Sequence, residues 1–422
     1  MVEPDIALAE RLFDDLERNT KVGRGICRAT YGEGEQYAHD LIRQTGESLG
    51  LASAVDSAGN LFLTLAGDSP DLPAMVVGSH LDSVPDGGNY DGAAGVIAGL
   101  VIAAGFIQAG RRPPRSLIVA GLRGEESAWF EGPYIGSRTA LGLFPAAALD
   151  TDRRSDTRRT LADHMAAAGF DPDGVRAGKA YLTRDTVAGY VELHIEQGPI
   201  LEAAAIPVGI VTAINGCLRY TDPCCFGLYG HSGVQPRELR HDAVHAVIDL
   251  GARFYGCWDE MLAAGHEVRL SMGVLGTDPA AASPSKVAGE CRFSLDVRTP
   301  SLDTMKEMER RIAGWTREIA DARGVRFDRL VGSYSFPAPM DSALRDGLQA
   351  AADALDVSTM SLSSGAGHDA AVFAQAGIPS AMVFVRNAHG SHNPDEAMAI
   401  EDFAAGVRVM AHALDNGLAA MA

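Results

Sequence analysis

The chain has 422 residues, with 36 Lys and Arg against 55 Asp and Glu for a formal charge of −19; 46% of it is hydrophobic and 22% charged. This is a soluble globular composition, and the length exceeds the ~100–150 residues that one core commonly serves, so two domains or an enzyme core with an insertion are expected. So acidic a chain, with no Lys/Arg-rich run, repels phosphate backbones and anionic lipid, which argues against nucleic acid and membrane surfaces as partners.

The opening MVEPDIALAERLFDDLERN has neither a basic nor a long apolar region, and Ile6, Leu8, Leu12, Phe13 and Leu16 recur at helical spacing, predicting a solvated N-terminal helix. The uncharged run at 92–110 approaches membrane-span length, but it is rich in Ala and Gly and Asp91 stands at its head, so it reads as a buried core helix. Short apolar runs alternate with helical patterns: AMVVGSH before that helix, SLIVAGL near 120, YVELHIE near 194, and PSAMVFV near 384 before a C-terminal helix. That alternation predicts an α/β sheet with parallel members.

Between 212 and 330 the texture changes to strand-like CLRYTDPCCFGLYG, a helix over 238–263, strand-like EVRLSMGVL and GECRFSLDVR, and a helix over 301–322 with Leu302, Met305, Met308, Ile312, Trp315 and Ile319 on one face. We read this as a small α+β domain inserted into a catalytic domain made of 1–211 and 331–422. Six cysteines (27, 217, 224, 225, 257 and 291) form no CxxC pair and are too sparse for a disulfide scaffold, which points to a reducing cytoplasm.

Residues able to do chemistry cluster where strands end, which is where open α/β sheets place their sites. In VVGSHLDSVPDGGNYDG an apolar strand ends at His80, Asp82 follows two residues later, and Asp91 stands in a Gly-rich loop before a helix. Each has an ordinary structural reading, Asp91 as a helix cap among them. Together they form first and second shells for a metal, with Asp82 able to orient the imidazole. SLIVAGLRGEES ends a strand with adjacent acids, Glu125 and Glu126, of which one suits ligation and the other general-base work on water; a solvated acidic turn is the alternative.

His194 lies among apolar residues in YVELHIEQGP, and HGSHNPDE offers His392, with His389 as a rival. His80, Asp91, Glu126, His194 and His392 supply mixed N/O ligands with one carboxylate to share, which fits a two-metal site with ions ~3.5–4 Å apart. Imidazole and carboxylate without thiolate suit two divalent ions such as Zn, Mn, Co or Ni. The chain lacks GxSxG, HExxH and GxxxxGK[ST], and GEGEQY at 32–37 lacks the third glycine of a dinucleotide loop.

Taken in order, SHLDSVPDGGNYDG, GEES, ELHIEQGP, GHSGVQP with Arg240 and Asp242, FSLDVR, SGAGHDA and GSHNPDE resemble the amidase branch of the M20 metallohydrolases, over about residues 20–415. That branch includes N-carbamoyl-L-amino-acid hydrolases, β-ureidopropionases, and allantoate and ureidoglycolate amidohydrolases. The resemblance implies a metallopeptidase-like catalytic domain with a central mixed sheet and an inserted ferredoxin-like dimerisation and lid domain, hence a homodimer acting on a small molecule.

By the same resemblance, His80, Asp91 and His194 hold one metal and Asp91, Glu126 and His392 the other, with Glu125 as base and Asp82 orienting His80. His231 and Arg298 contact substrate, as do Gln197 and His368. Peptidases and aminoacylases of the wider superfamily carry an acid where this chain has His194; an N-acyl-amino-acid hydrolase or dipeptidase is the second reading, and a catalytically silent scaffold the third.

Two departures bear on substrate. Ser285 in SKVAG stands where the branch has Asn in a segment resembling NVIPG, and Trp129 in ESAWF stands where it has Arg. Trp129 either presents an apolar ring to substrate or packs in the core.

Overall fold

The computed structural model describes residues 2–418 and divides into two compact units, Met1–Thr212 with Pro339–Ala422, and Ala213–Ala338. The principal elements of the first unit are α1 (Ile6–Thr20), α2 (Glu33–Ser48), β1 (Ala52–Val55), β2 (Leu61–Leu65), β3 (Ala74–His80), α3 (Ala93–Gln108), β4 (Leu117–Leu122), β5 (Val187–Ile195), β6 (Val208–Ile214), α4 (Ser342–Ala354), β7 (Ser380–Val385) and α5 (Ile400–Asp415). Its sheet has nine strands and includes the spatial order β6-β7-β5-β3-β4-β2-β1. The pairs β7/β5, β5/β3 and β3/β4 are parallel; β6/β7, β4/β2 and β2/β1 are antiparallel.

The sheet is therefore mixed, as the resemblance implied, with the parallel members that the alternating pattern predicted at its centre. All seven residues of β3 are buried, as expected of a strand covered on both faces. Alternation alone missed β1, β2 and β6, which are the antiparallel flanks. GEGEQY opens α2 and is not a nucleotide loop.

α3 is buried on every side from Ala93 to Phe106, packed in one core with α1, α5 and the sheet. The membrane-length run is thus a core helix, and no helix among the described residues is long and apolar enough to cross a membrane. α1 starts where the Asp5 carboxylate accepts from Leu8 N at 2.9 Å, and it buries Leu8, Leu12, Phe13 and Leu16 while its other face meets solvent.

In the second unit, strands Gly216–Tyr220, Arg269–Ser271, Leu295–Thr299 and Ser333–Ser335 alternate with helices Ala243–Ala263 and Leu302–Arg323 in the order β-α-β-β-α-β. Numbered 1 to 4 along the chain, these strands lie side by side as 2-3-1-4, and each neighbouring pair is antiparallel. A second four-stranded sheet includes Cys224–Phe226 and Glu290–Phe293. Met305, Met308, Ile312 and Ile319 of the long helix are buried in this unit's own core, while Leu302 and Trp315 are partly exposed. The boundary expected at 330 is corrected: Ser333–Ser335 pairs with Cys217–Arg219, so the unit runs on to Ala338.

Candidate metal centre

The four parallel strands deliver their C-terminal ends to one place. β3 ends on His80, β4 leads through a short turn to Glu125 and Glu126, β5 carries His194 as its penultimate residue, and the loop after β7 carries His392. Asp91 arrives on the loop between β3 and α3. The ligand atoms of His80, Asp91 and His194 lie within 4.8 Å of one another, and so do those of Asp91, Glu126 and His392.

Asp91 belongs to both groups and divides its oxygens between them. Its Oδ1 is 3.5 Å from His80 Nε2 and 3.2 Å from His194 Nε2; its Oδ2 is 3.4 Å from His392 Nε2, which is also 3.4 Å from Glu126 Oε1. The rings are turned by their other nitrogens. His80 Nδ1 faces the Asp82 carbonyl at 3.1 Å and its carboxylate at 3.4 Å, and His194 Nδ1 faces the Ile195 carbonyl at 2.9 Å. A proton on each Nδ1 would leave each Nε2 lone pair free for a cation held beside Asp91. His392 rather than His389, both of them exposed, completes the second group.

Asp82 does more than its spacing suggested. Besides facing His80, it accepts from Glu125 N at 3.0 Å, Glu126 N at 3.2 Å and Thr30 Oγ1 at 3.0 Å, so one buried carboxylate fixes the imidazole and the acidic pair together. Burial pushes the Glu125 carboxyl well above the usual carboxylate range; His80 opposes the shift, while Glu126, Asp369 and Asp82 add to it. Burial also works against charge on Asp91, but hydrogen bonds from His194, His392 and His80 outweigh it and hold that carboxyl well below the usual range. Hydrogen bonds to Asp91 and Glu126 raise His392 to about 10. Three imidazoles gathered around the Asp91 and Glu126 carboxylates form a donor set of the kind divalent cations take.

Close approach requires glycine at two positions. Gly92 has φ +67°, and a Cβ there would collide with the His80 ring; a Cβ on Gly88 would collide with the Glu396 carboxylate. Glu396, which sequence reasoning missed, accepts from Tyr90 N at 2.9 Å and Asp91 N at 3.2 Å, and Ser391 Oγ lies within hydrogen-bond distance of both it and Asp91 Oδ2. Also missed was Glu192, two residues before His194 on the same strand face. It is buried, accepts from Ser79 Oγ and Ala370 N, and forms a third group of potential ligands with His194 and His368. The ELH alternation on β5 was the available signal for it.

Gln197 stands in the left-handed region (φ +63°), donates to Asp91 Oδ2 at 2.8 Å, and has a buried Oε1 without a hydrogen-bond partner. His368 is buried edge-on against His194, with Nε2 3.0 Å from Ser364 Oγ.

The sequence pattern of peptidase family M20/M25/M40 matches residues 76–416. The chain belongs to that family. An N-carbamoyl-L-amino acid amidohydrolase of Geobacillus stearothermophilus is 34% identical over 96% of this chain and 97% of its own length. An allantoate amidohydrolase of Escherichia coli is 29% identical over 92% of each chain. The crystal structure of an amidase of the hydantoinase/carbamoylase family from Burkholderia multivorans superposes with TM-score 0.87 at 27% identity, covering 99% of this chain and 98% of that one. The amidase-branch resemblance of the sequence motifs is borne out by these relatives.

The remaining residues singled out from the sequence have local explanations in this M20/M25/M40 member. In the second unit, Arg298 donates to Asp296 Oδ1 at 2.9 Å and is partly exposed; His231 is exposed, its Nδ1 accepting from Gly233 N. Ser285 accepts through its carbonyl from Ser232 N, beside His231. Trp129 belongs to the core: it is 8% exposed, its indole N–H donates to the Ser83 carbonyl at 2.7 Å, and the Arg154 guanidinium lies over its ring. The reading in which it faces substrate is set aside.

Proposed function

We propose that this hydrolase cleaves a C–N bond of an N-carbamoyl (ureido) amino acid or a related carboxylate-bearing amide. The observation that carries the reading is the division of Asp91, one oxygen to His80 and His194 and the other towards His392, with Glu125 buried 3.9 Å from His80. The donor set fits two divalent ions: His80, Asp91 and His194 would hold one, and Asp91, Glu126 and His392 the other. Such ions supply Lewis-acid polarisation of a carbonyl and lower the pKa of water.

The chain's own groups do the rest. Glu125, outside both ligand groups and with its proton affinity raised by burial, takes a proton from the attacking water and returns it to the leaving nitrogen. The unpartnered Oε1 of Gln197 accepts a hydrogen bond from the carbamoyl amide, and the strained backbone that aims it there is typical of functional positions. His368 contributes to the same pocket through its packing on His194.

The second unit is, in this reading, the ferredoxin-like lid and dimerisation domain; its β-α-β-β-α-β order supports that description. Arg298 there forks onto the substrate carboxylate, and His231 of the partner protomer in a homodimer stabilises the oxyanion. Six free cysteines support a reducing cytoplasm.

The test is ammonia and amine release, with added Mn or Zn, from N-carbamoyl-L-amino acids, N-carbamoyl-β-alanine, allantoate, ureidoglycolate and N-acyl-amino acids. Ammonia from ureido compounds is expected. Amine from acyl compounds alone, without ammonia, refutes the ureido assignment and favours an N-acyl-amino-acid hydrolase or dipeptidase.

A further inference from the structure

Arg28, between the N-terminal helix and α2, is fully buried, and nothing in the proposed reaction uses it. Taking a guanidinium out of water is costly unless hydrogen bonds and charge compensate, so its contacts are informative. Its hydrogen bonds go to neutral oxygens: Nε to the Leu81 carbonyl at 2.8 Å, Nη1 to Asn89 Oδ1 at 3.3 Å, and Nη2 to the carbonyls of Asn89 at 3.5 Å and Asp91 at 3.4 Å. Its backbone is tied down as well, since Arg28 N donates to Ser83 Oγ at 2.9 Å and the Arg28 carbonyl accepts from Ser83 N. Glu396, Asp91, Asp82 and Glu126 supply the surrounding negative charge.

These contacts fall on the two ends of one loop. His80 is the last residue of β3, Leu81 follows it, and the chain reaches Asp91 without an intervening helix or strand. The sheet fixes His80, whereas Asp91 depends on how the loop closes. A planar fork that holds the carbonyls of Leu81 and Asp91 at once sets the distance between the loop's ends, a task the single point of a Lys ammonium cannot perform.

We propose that Arg28 is a positioning residue that clamps the ends of the 81–91 loop and thereby sets the spacing of His80 and Asp91 for a divalent metal. This rests on the reading of His80 and Asp91 as ligands. The sign of the effect separates geometry from charge. A fixed cation beside a metal site repels the metal, so at a pH where the ligand carboxylates are ionised, removing its charge alone tightens binding and weaker binding points to lost geometry.

The experiment measures Mn(II) and Zn(II) binding by chelator competition in the wild type, Arg28→Met, Arg28→Lys and Asn89→Ala, together with kcat and KM. Wild type binds; Arg28→Met and Arg28→Lys bind about 10- to 100-fold more weakly, the range usual for groups that orient ligands. In both variants kcat falls while KM changes by less than about 3-fold, and Asn89→Ala shows a smaller loss in the same direction. Unchanged or tighter metal binding by folded Arg28→Met overturns the proposal, as does full retention of affinity by Arg28→Lys or a drop in thermal stability alone. If neither Arg28 variant folds, Asn89→Ala decides, and wild-type affinity there overturns the clamp. A wild-type protein that binds neither metal refutes the ligand reading itself, and the clamp with it.

Discussion

Glu125→Gln separates chemistry from architecture. The amide has the shape of the carboxyl it replaces, and the backbone N–H of residue 125 keeps its bond to Asp82, so the turn after β4 is preserved. Residue 125 is outside both ligand groups, so metal content is expected to stay at the wild-type level. Burial already disfavours the charged form of Glu125, so a neutral amide costs the fold nothing, and the melting temperature is expected to hold or rise.

What disappears is the proton shuttle. Positioned general-base catalysis contributes roughly 10²- to 10⁴-fold, about 2.7–5.4 kcal/mol of barrier at 1.36 kcal/mol per decade. The assay pairs ammonia release under substrate saturation with elemental analysis of the purified variant. A kcat near that of the wild type removes Glu125 from the mechanism; metal lost in step with activity makes it a ligand instead.

Gly92→Ala forces a Cβ into the His80 ring at φ +67° and ψ −50°; so sparsely populated a backbone alone costs about 1–3 kcal/mol, so lower thermal stability and sub-stoichiometric metal are expected by calorimetry and elemental analysis. Trp129→Phe strands the buried Ser83 carbonyl; a loss of about 1–3 kcal/mol in denaturant unfolding is expected, with the ranking of substrates unchanged, and a changed ranking would return Trp129 to the substrate pocket. Arg298→Ala is expected to raise KM for carboxylate substrates about 10-fold or more with a smaller change in kcat, as losing a charged hydrogen bond implies; an unchanged KM means that the anion is held elsewhere.

Much of the site was legible because His80, Glu126 and His194 lie at or just after apolar runs that had to be strands. AMVVGSH, SLIVAGL, YVELHIE and PSAMVFV mark β3, β4, β5 and β7, and a His or acid directly after such a run is placed at a sheet edge by the strand before it. Glu396, Ser391 and Arg28 were not legible in that way. Their significance lies in contacts with Asp91 and its loop across large sequence separations, and nothing in the local pattern around GICRATYG or NPDEA distinguishes a buried clamp from an ordinary loop. Trp129 was open for a related reason: an apolar ring beside two acids fits a pocket or a core, and only its bond to the Ser83 carbonyl decides.

By itself, then, the sequence determined that strands end in histidines and carboxylates of the kind divalent metals prefer, because hydrophobic periodicity is a local property of the chain. It could not determine which oxygen of Asp91 faces which histidine. That was decided by the sheet, whose order β7-β5-β3-β4 brings the ends of strands more than 300 residues apart in the chain to one side, so that the ligand atoms of His80 and of His392 each lie within 4.8 Å of the Asp91 carboxylate. Strand order depends on the packing of the whole α3 core and leaves no mark on any short stretch of the chain.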